Sequence, residues 1–177
     1  MVDVTGDRAV EHSGASGNFM LRFLDEPLTV IVLTNLDNPS GRHGMLLARS
    51  IAGIVRPALR PPHDLAASTD PSPALTATVT ALLSDVAARR ASAAMSDTYR
   101  IWYESAPGSR AWMASQLSGG TPLQYMGRET RSGASVRGQE PIEQLIHYAM
   151  DVKAERVYLS IGINSASKVC SVDFYLR

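Results

Sequence analysis

The sequence predicts an α+β protein in two parts. N-terminal antiparallel strands with one packing helix come first, then a helices-first, four-stranded antiparallel domain. Three observations carry this. Residues 1–37 have strand character, apolar residues follow helical spacing at the end of the first part and the start of the second, and they alternate again after residue 123. Residues 60–72 hold three prolines among small and polar residues, which marks a linker. Hydrophobic residues make up 45% and charged residues 19%, so a packed core is expected and global disorder is not. The parts are therefore read as 1–60, a Pro-rich linker at 61–72, and 73–177.

In the first part, Val2 and Val4 lead into a turn at Thr5-Gly6-Asp7-Arg8, and Ala9 to His12 lead out of it. Phe19, Leu21 and Phe23 alternate with Met20, Arg22 and Leu24 as a second strand. Asp25-Glu26-Pro27 breaks the ladder, since proline cannot donate to it. Leu28 to Thr34 is a continuous apolar, β-branched run, which predicts a central strand covered on both faces. Three consecutive antiparallel strands are expected. A helix follows, capped at Asn38 with Pro39 in its first turn, and Pro57 ends it. Leu47, Ile51, Ile54, Val55 and Ala58 recur at helical spacing and predict its buried face.

In the second part, Leu75, Val79, Leu82, Leu83 and Val86 form a stripe on a helix beginning near Pro73. Shorter helices are expected over Asp97–Glu104 and Ser109–Leu117, separated by Pro107-Gly108. Strands are expected at Leu123–Thr130, Leu145–Val152, Val157–Asn164 and Val169–Leu176. Helices followed by a meander place the helices on one face of the sheet.

Composition narrows the partners. Seventeen basic and seventeen acidic residues leave no basic field for a phosphate backbone, so nucleic acid is not expected. The longest apolar run, Leu28–Leu33, is too short to span a membrane, and Met1-Val2-Asp3-Val4 does not open a signal peptide. Cys170 is the single cysteine, and the four histidines show no i,i+4 pair, so neither a disulfide nor a zinc site is expected. No cofactor is expected. These features predict a soluble chain without a targeting segment.

The chemistry centres on His12-Ser13-Gly14, with Ala15 after it. The stretch Ala9-Val10-Glu11-His12-Ser13-Gly14, then Phe19-Met20-Leu21-Arg22-Phe23, Asp25-Glu26 and Leu28 to Asn35 resembles the third-motif region of serine β-lactamase-like hydrolases. That family includes class C β-lactamases, D-alanyl-D-alanine carboxypeptidases and related esterases. The penicillin-binding form of the motif is K-T-G; other members carry H-[ST]-G. The resemblance covers residues 1–60. It implies that the first sheet is a remnant of a β-lactamase-like sheet, with Gly14 at the end of the strand bordering the active site. By it, His12 would supply a polar or cationic group to the substrate, Ser13 a hydroxyl, Gly14 room against the backbone, and the Ala15 N–H an oxyanion donor. The parent family is often periplasmic or secreted.

The family's nucleophile lies in S-x-x-K at a helix start, assisted by Y-x-N, both upstream of H-S-G. Residues 1–11 contain neither a serine nor a lysine. Ser165-Ala166-Ser167-Lys168 matches the letters but sits between two expected strands, where the side chains do not converge. Tyr103-Glu104-Ser105 also falls in the wrong order. No catalytic residue is identified, and this chain alone is expected to be inactive. Its expected partner is the missing N-terminal hydrolase portion or a second copy of the chain. Residues 72–177 resemble the accessory domain of such hydrolases, a cystatin-like or SnoaL-like α+β fold that can enclose a small molecule. Trp102, Tyr103, Trp112, Tyr125, Tyr148 and Tyr158 are candidates to line that pocket, or to serve as core and rim packing. His147 and Asp151, four residues apart on one strand, share a face without needing to form a dyad.

Overall fold

The computed structural model describes residues 2–4, 8–14, 17–34, 42–61, 66–130 and 140–176. Its elements are β1 (Val2–Val4), β2 (Arg8–Ser13), β3 (Phe19–Phe23), β4 (Thr29–Val32) and α1 (Arg42–Val55), with a short 3-10 turn at Pro57–Leu59. Then follow α2 (Pro73–Ala87), α3 (Asp97–Ser105), α4 (Pro107–Leu117), β5 (Gln124–Thr130), β6 (Gln144–Val152), β7 (Glu155–Ile163) and β8 (Val169–Leu176). The protein is α+β, with the helices of the second part preceding its four strands. Two compact units divide at Leu65 and Ala66.

The first unit is an antiparallel sheet in the order β1-β2-β3-β4, so Val2–Val4 adds a short fourth strand to the three expected. The turn at residues 5–7 lies outside the described residues. Phe19, Leu21 and Phe23 of β3 and Val30 and Val32 of β4 point to the buried face. Two expectations are corrected. β4 is the edge of this sheet, not a strand covered on both faces; Ile31 is 61% exposed and Leu33 79%. The run is apolar at every position from Val30 to Leu33, but among the described residues only one face has a helix to pack against.

The second correction concerns α1, whose buried residues include Gly44, Ala48 and Ala52, with Met45 and Ile51 partly buried beside them. Leu47, Ile54 and Val55, expected on its inner face, are exposed. The helix lies too close to the sheet for large side chains. A Cβ at Gly44 would stand 2.4 Å from Gly17 O and 3.0 Å from Phe19 Cβ. An Arg49–Glu11 ion pair joins α1 to β2 beside this contact. The cap expected at Asn38-Pro39 lies outside the described residues, and α1 ends two residues before Pro57, where an X-Pro step disfavours helix.

The second unit is the antiparallel sheet β5-β6-β7-β8. Ile146, Tyr148 and Met150 of β6, Leu159 and Ile161 of β7 and Phe174 of β8 form one core with Val79, Leu82, Leu83 and Val86 of α2, Tyr103 of α3 and Met113 and Leu117 of α4. Ser96 caps α3 by accepting from the Tyr99 N–H at 3.2 Å. Residues 66–72, within the segment read as a linker, belong to this unit, and Ser68 N–H donates to Tyr125 O at 2.9 Å. Lys153 and Ala154 form the β6–β7 turn, both at positive φ (50° and 67°). No described helix is long and apolar enough to cross a membrane.

Candidate functional site

His12 and Ser13 end β2, and both are exposed. The register pairs His12 with Met20 and Ser13 with Phe19, so the pleat sends them to opposite faces. Met20 is in turn opposite Ile31, which gives His12 a row of exposed apolar neighbours on the outer face. Gly14 N–H donates to Asn18 O at 2.8 Å, closing the strand connection, and Asn18 Oδ1 accepts from Thr34 N–H at 2.7 Å. Ala15 lies outside the described residues.

The two imitations of the family motifs are held in other ways. Ser165–Lys168 forms a hairpin turn around Asn164, whose Oδ1 accepts from the N–H groups of Ala166 and Lys168. The Lys168 ammonium donates to Ala93 O at 2.9 Å. Tyr103 is fully buried, with its hydroxyl 3.5 Å from Val86 O.

The candidate pocket aromatics do not converge. Trp102 stacks on Tyr99 with ring centroids 5.4 Å apart, Trp112 meets Phe174 edge-on, and the Arg156 guanidinium lies over Tyr158. Tyr125 and Tyr148 alone among them line a shallow surface recess with Asp70, Ser72, Arg128 and Gln144, with room for about one water molecule. The Tyr148 hydroxyl shares a 2.9 Å hydrogen bond with Thr76 Oγ1. Burial pushes the Tyr148 hydroxyl above the usual phenol range, and the Thr76 bond opposes this. Between the helices and the sheet, side chains of α2, α3 and α4 pack with those of β6, β7 and β8 in one core.

A polar constellation lies on the opposite face of the second sheet. His147 and Ser160 stand directly across from each other on β6 and β7, and both are 5% exposed. His147 Nδ1 is 2.8 Å from Ser160 Oγ, and its Nε2 is 3.1 Å from Glu129 Oε1 on β5. A carboxylate only accepts, so Nε2 carries the hydrogen, and in the neutral imidazole Nδ1 accepts from the Ser160 hydroxyl. His147 and Asp151 do share a face, but Asp151 pairs with Arg156 at 3.3 Å, and the carboxylate on the imidazole is that of Glu129. Sequence reasoning missed Glu129 and Ser160. The one signal for Ser160 was the strand register set by the Lys153-Ala154 turn.

Cys170 is half-buried, and burial followed by the Glu140 charge pushes its thiol up to about 11. Among the described residues, no three His, Cys, Asp or Glu side chains gather where they could hold a metal ion. No family model, curated protein or solved structure matches this chain.

Proposed function

We propose that this chain carries the C-terminal part of a serine β-lactamase-like hydrolase and does not itself acylate with β-lactams. The observation that supports the reading is His12-Ser13-Gly14 at the end of β2, followed by two antiparallel strands and a helix packed on one face of the sheet. Exposed Met20 and Ile31 on the other face are consistent with a sheet that packs against further protein. On this reading His12 faces the substrate, while the nucleophile and its lysine come from a preceding segment. Neither Ser165 nor Tyr103 has the surroundings to replace them.

The test has two arms. Sequencing the gene upstream of the Met1 codon is expected to show an open frame encoding S-x-x-K and Y-x-N. Incubating the purified chain with a fluorescent penicillin is expected to leave it unlabelled. A stop codon directly upstream, or penicilloylation of Ser165, would overturn the reading. A second reading, a small-molecule-binding or dimerising module, draws on the Tyr125–Tyr148 recess and on the same exposed apolar residues. It predicts a concentration-dependent dimer in sedimentation that Ile31→Lys abolishes.

A further inference from the structure

We infer that Ser160 is a reactive serine that accepts an acyl group from a small uncharged ester, with His147 as its base and Glu129 orienting the imidazole. This stands apart from the reading of β2, because the residues lie in the other unit and owe nothing to H-S-G. The geometry is a continuous chain: hydroxyl to imidazole at 2.8 Å, imidazole to carboxylate at 3.1 Å. A serine, a base within hydrogen-bond reach and a third group fixing that base is what activation of a hydroxyl requires. Glu129 fixes the tautomer that leaves Nδ1 ready to take the proton, and its charge stabilises the imidazolium that then forms.

The backbone holds the three groups with little freedom. His147 and Ser160 are a cross-strand pair, and Glu129 lies two residues beyond Gly127, the β5 residue opposite His147. Gly127, at φ 151°, places no side chain beside the imidazole. Glu129 retains 28% exposure of its side chain whereas His147 and Ser160 are each 5% exposed, so on this proposal the ester would enter past Glu129, from the β5 side. The neighbours on this face select the ester. Leu145 and Ala149 are buried and apolar, which favours a short acyl chain. Asp173 lies across from Ser160, and with Glu129 it disfavours an anionic substrate.

In the step itself, the Ser160 proton moves to His147 Nδ1 while Oγ forms a bond to the ester carbonyl carbon. The ester C–O bond breaks, and the leaving alkoxide takes the proton back from His147. Water, deprotonated in turn by His147, then bonds to the acyl carbon; the acyl–Oγ bond breaks, Oγ takes the proton back from His147, and the acid leaves.

The test uses the full chain and an uncharged fluorescent alkyl fluorophosphonate, with the modified residue mapped by peptide mass spectrometry. Label is expected on Ser160, absent in Ser160→Ala and slowed about a hundredfold in His147→Gln. Near-UV circular dichroism of the tyrosines checks that each variant is folded. A second variant, Ser160→Cys, keeps the proposal open to failure if His147→Gln does not fold. Its introduced thiol is expected to react with iodoacetamide at mildly acidic pH far faster than Cys170, whose burial keeps it protonated. Failure of the folded chain to label at Ser160, an undiminished rate in folded His147→Gln, or an introduced thiol no faster than Cys170 would overturn the inference.

Discussion

The two units share a sheet plan and differ in what covers it. Each is four antiparallel strands in sequence order. In the first, one helix packs through Gly44, Ala48 and Ala52, leaving Met20, Ile31, Leu47 and Ile54 exposed. In the second, three helices fill one face, and Leu145, His147, Ala149 and Ser160 are buried on the other. Strand order therefore does not set burial. Exposed isoleucines forgo roughly 1.5–3 kcal/mol each that full burial would contribute. The first unit is expected to be the less stable one.

That comparison is open to attack, and the chain supplies the probes. Its six tyrosines and both tryptophans lie in the second unit, whereas two of its three phenylalanines, Phe19 and Phe23, lie in the first. Fluorine-labelled phenylalanine and tyrosine circular dichroism thus read the units separately.

The largest effects belong to the fully buried aliphatics. Leu21→Ala and Ile161→Ala should each cost about 2–5 kcal/mol in urea unfolding. The first should move the Phe19 and Phe23 resonances while the tyrosine signal holds; the second should do the reverse. Simultaneous loss of both signals in either variant would break the division into two units.

Next comes the close helix–sheet contact. Gly44→Ala puts a methyl group against Gly17 O and should cost about 1–3 kcal/mol, seen only in the phenylalanine signals. An unchanged melt would mean that α1 does not approach β3 as closely as described.

Alkali should separate the units more gently. Burial raises Tyr99, Tyr103, Tyr148 and Cys170 above their ordinary values, so the folded second unit keeps protons that the unfolded chain has released. Stability from these groups is complete well below the ordinary thiol value of about 8.5, where the unfolded thiol is still protonated. It falls as pH rises, through the cysteine toward about 11 and through the tyrosines from about 10 upward. The first unit has neither residue, so its urea midpoint should not share this decline. Equal declines by both probes would remove the distinction.

The smallest effect is expected on the outer side of α1. Ile54→Lys replaces a side chain 78% exposed and should change stability by no more than about 0.5 kcal/mol in thermal melts. A larger loss would show that this side of the helix is covered.

Much of the architecture was legible in the residues. The stripe from Leu75 to Val86 lies on α2, and the alternation at Val172, Phe174 and Leu176 lies on β8. The inner side of α1 was misread because hydrophobicity ranked Leu47 and Ile54 above Gly44 and Ala48. A helix pressed against a sheet buries what is small. The leucine-to-leucine run at 28–33 suggested double coverage for a similar reason, since composition reports what a strand can bury and not what is there to bury it. Of the site residues, His12-Ser13-Gly14 was visible because its parts are adjacent in the chain. His147 was visible by itself, but Glu129 and Ser160 were not, because the bulge between Tyr125 and Gly127 helps set which β5 residue reaches the imidazole.

The sequence by itself determined the kinds of element, their order and their approximate ends. Local periodicity, prolines and caps act within a few residues and need no partner. Only the tertiary structure decided which face of each element is buried and which polar groups meet. Both depend on strand register and on helix-to-sheet distance, which many weak contacts between distant residues settle together.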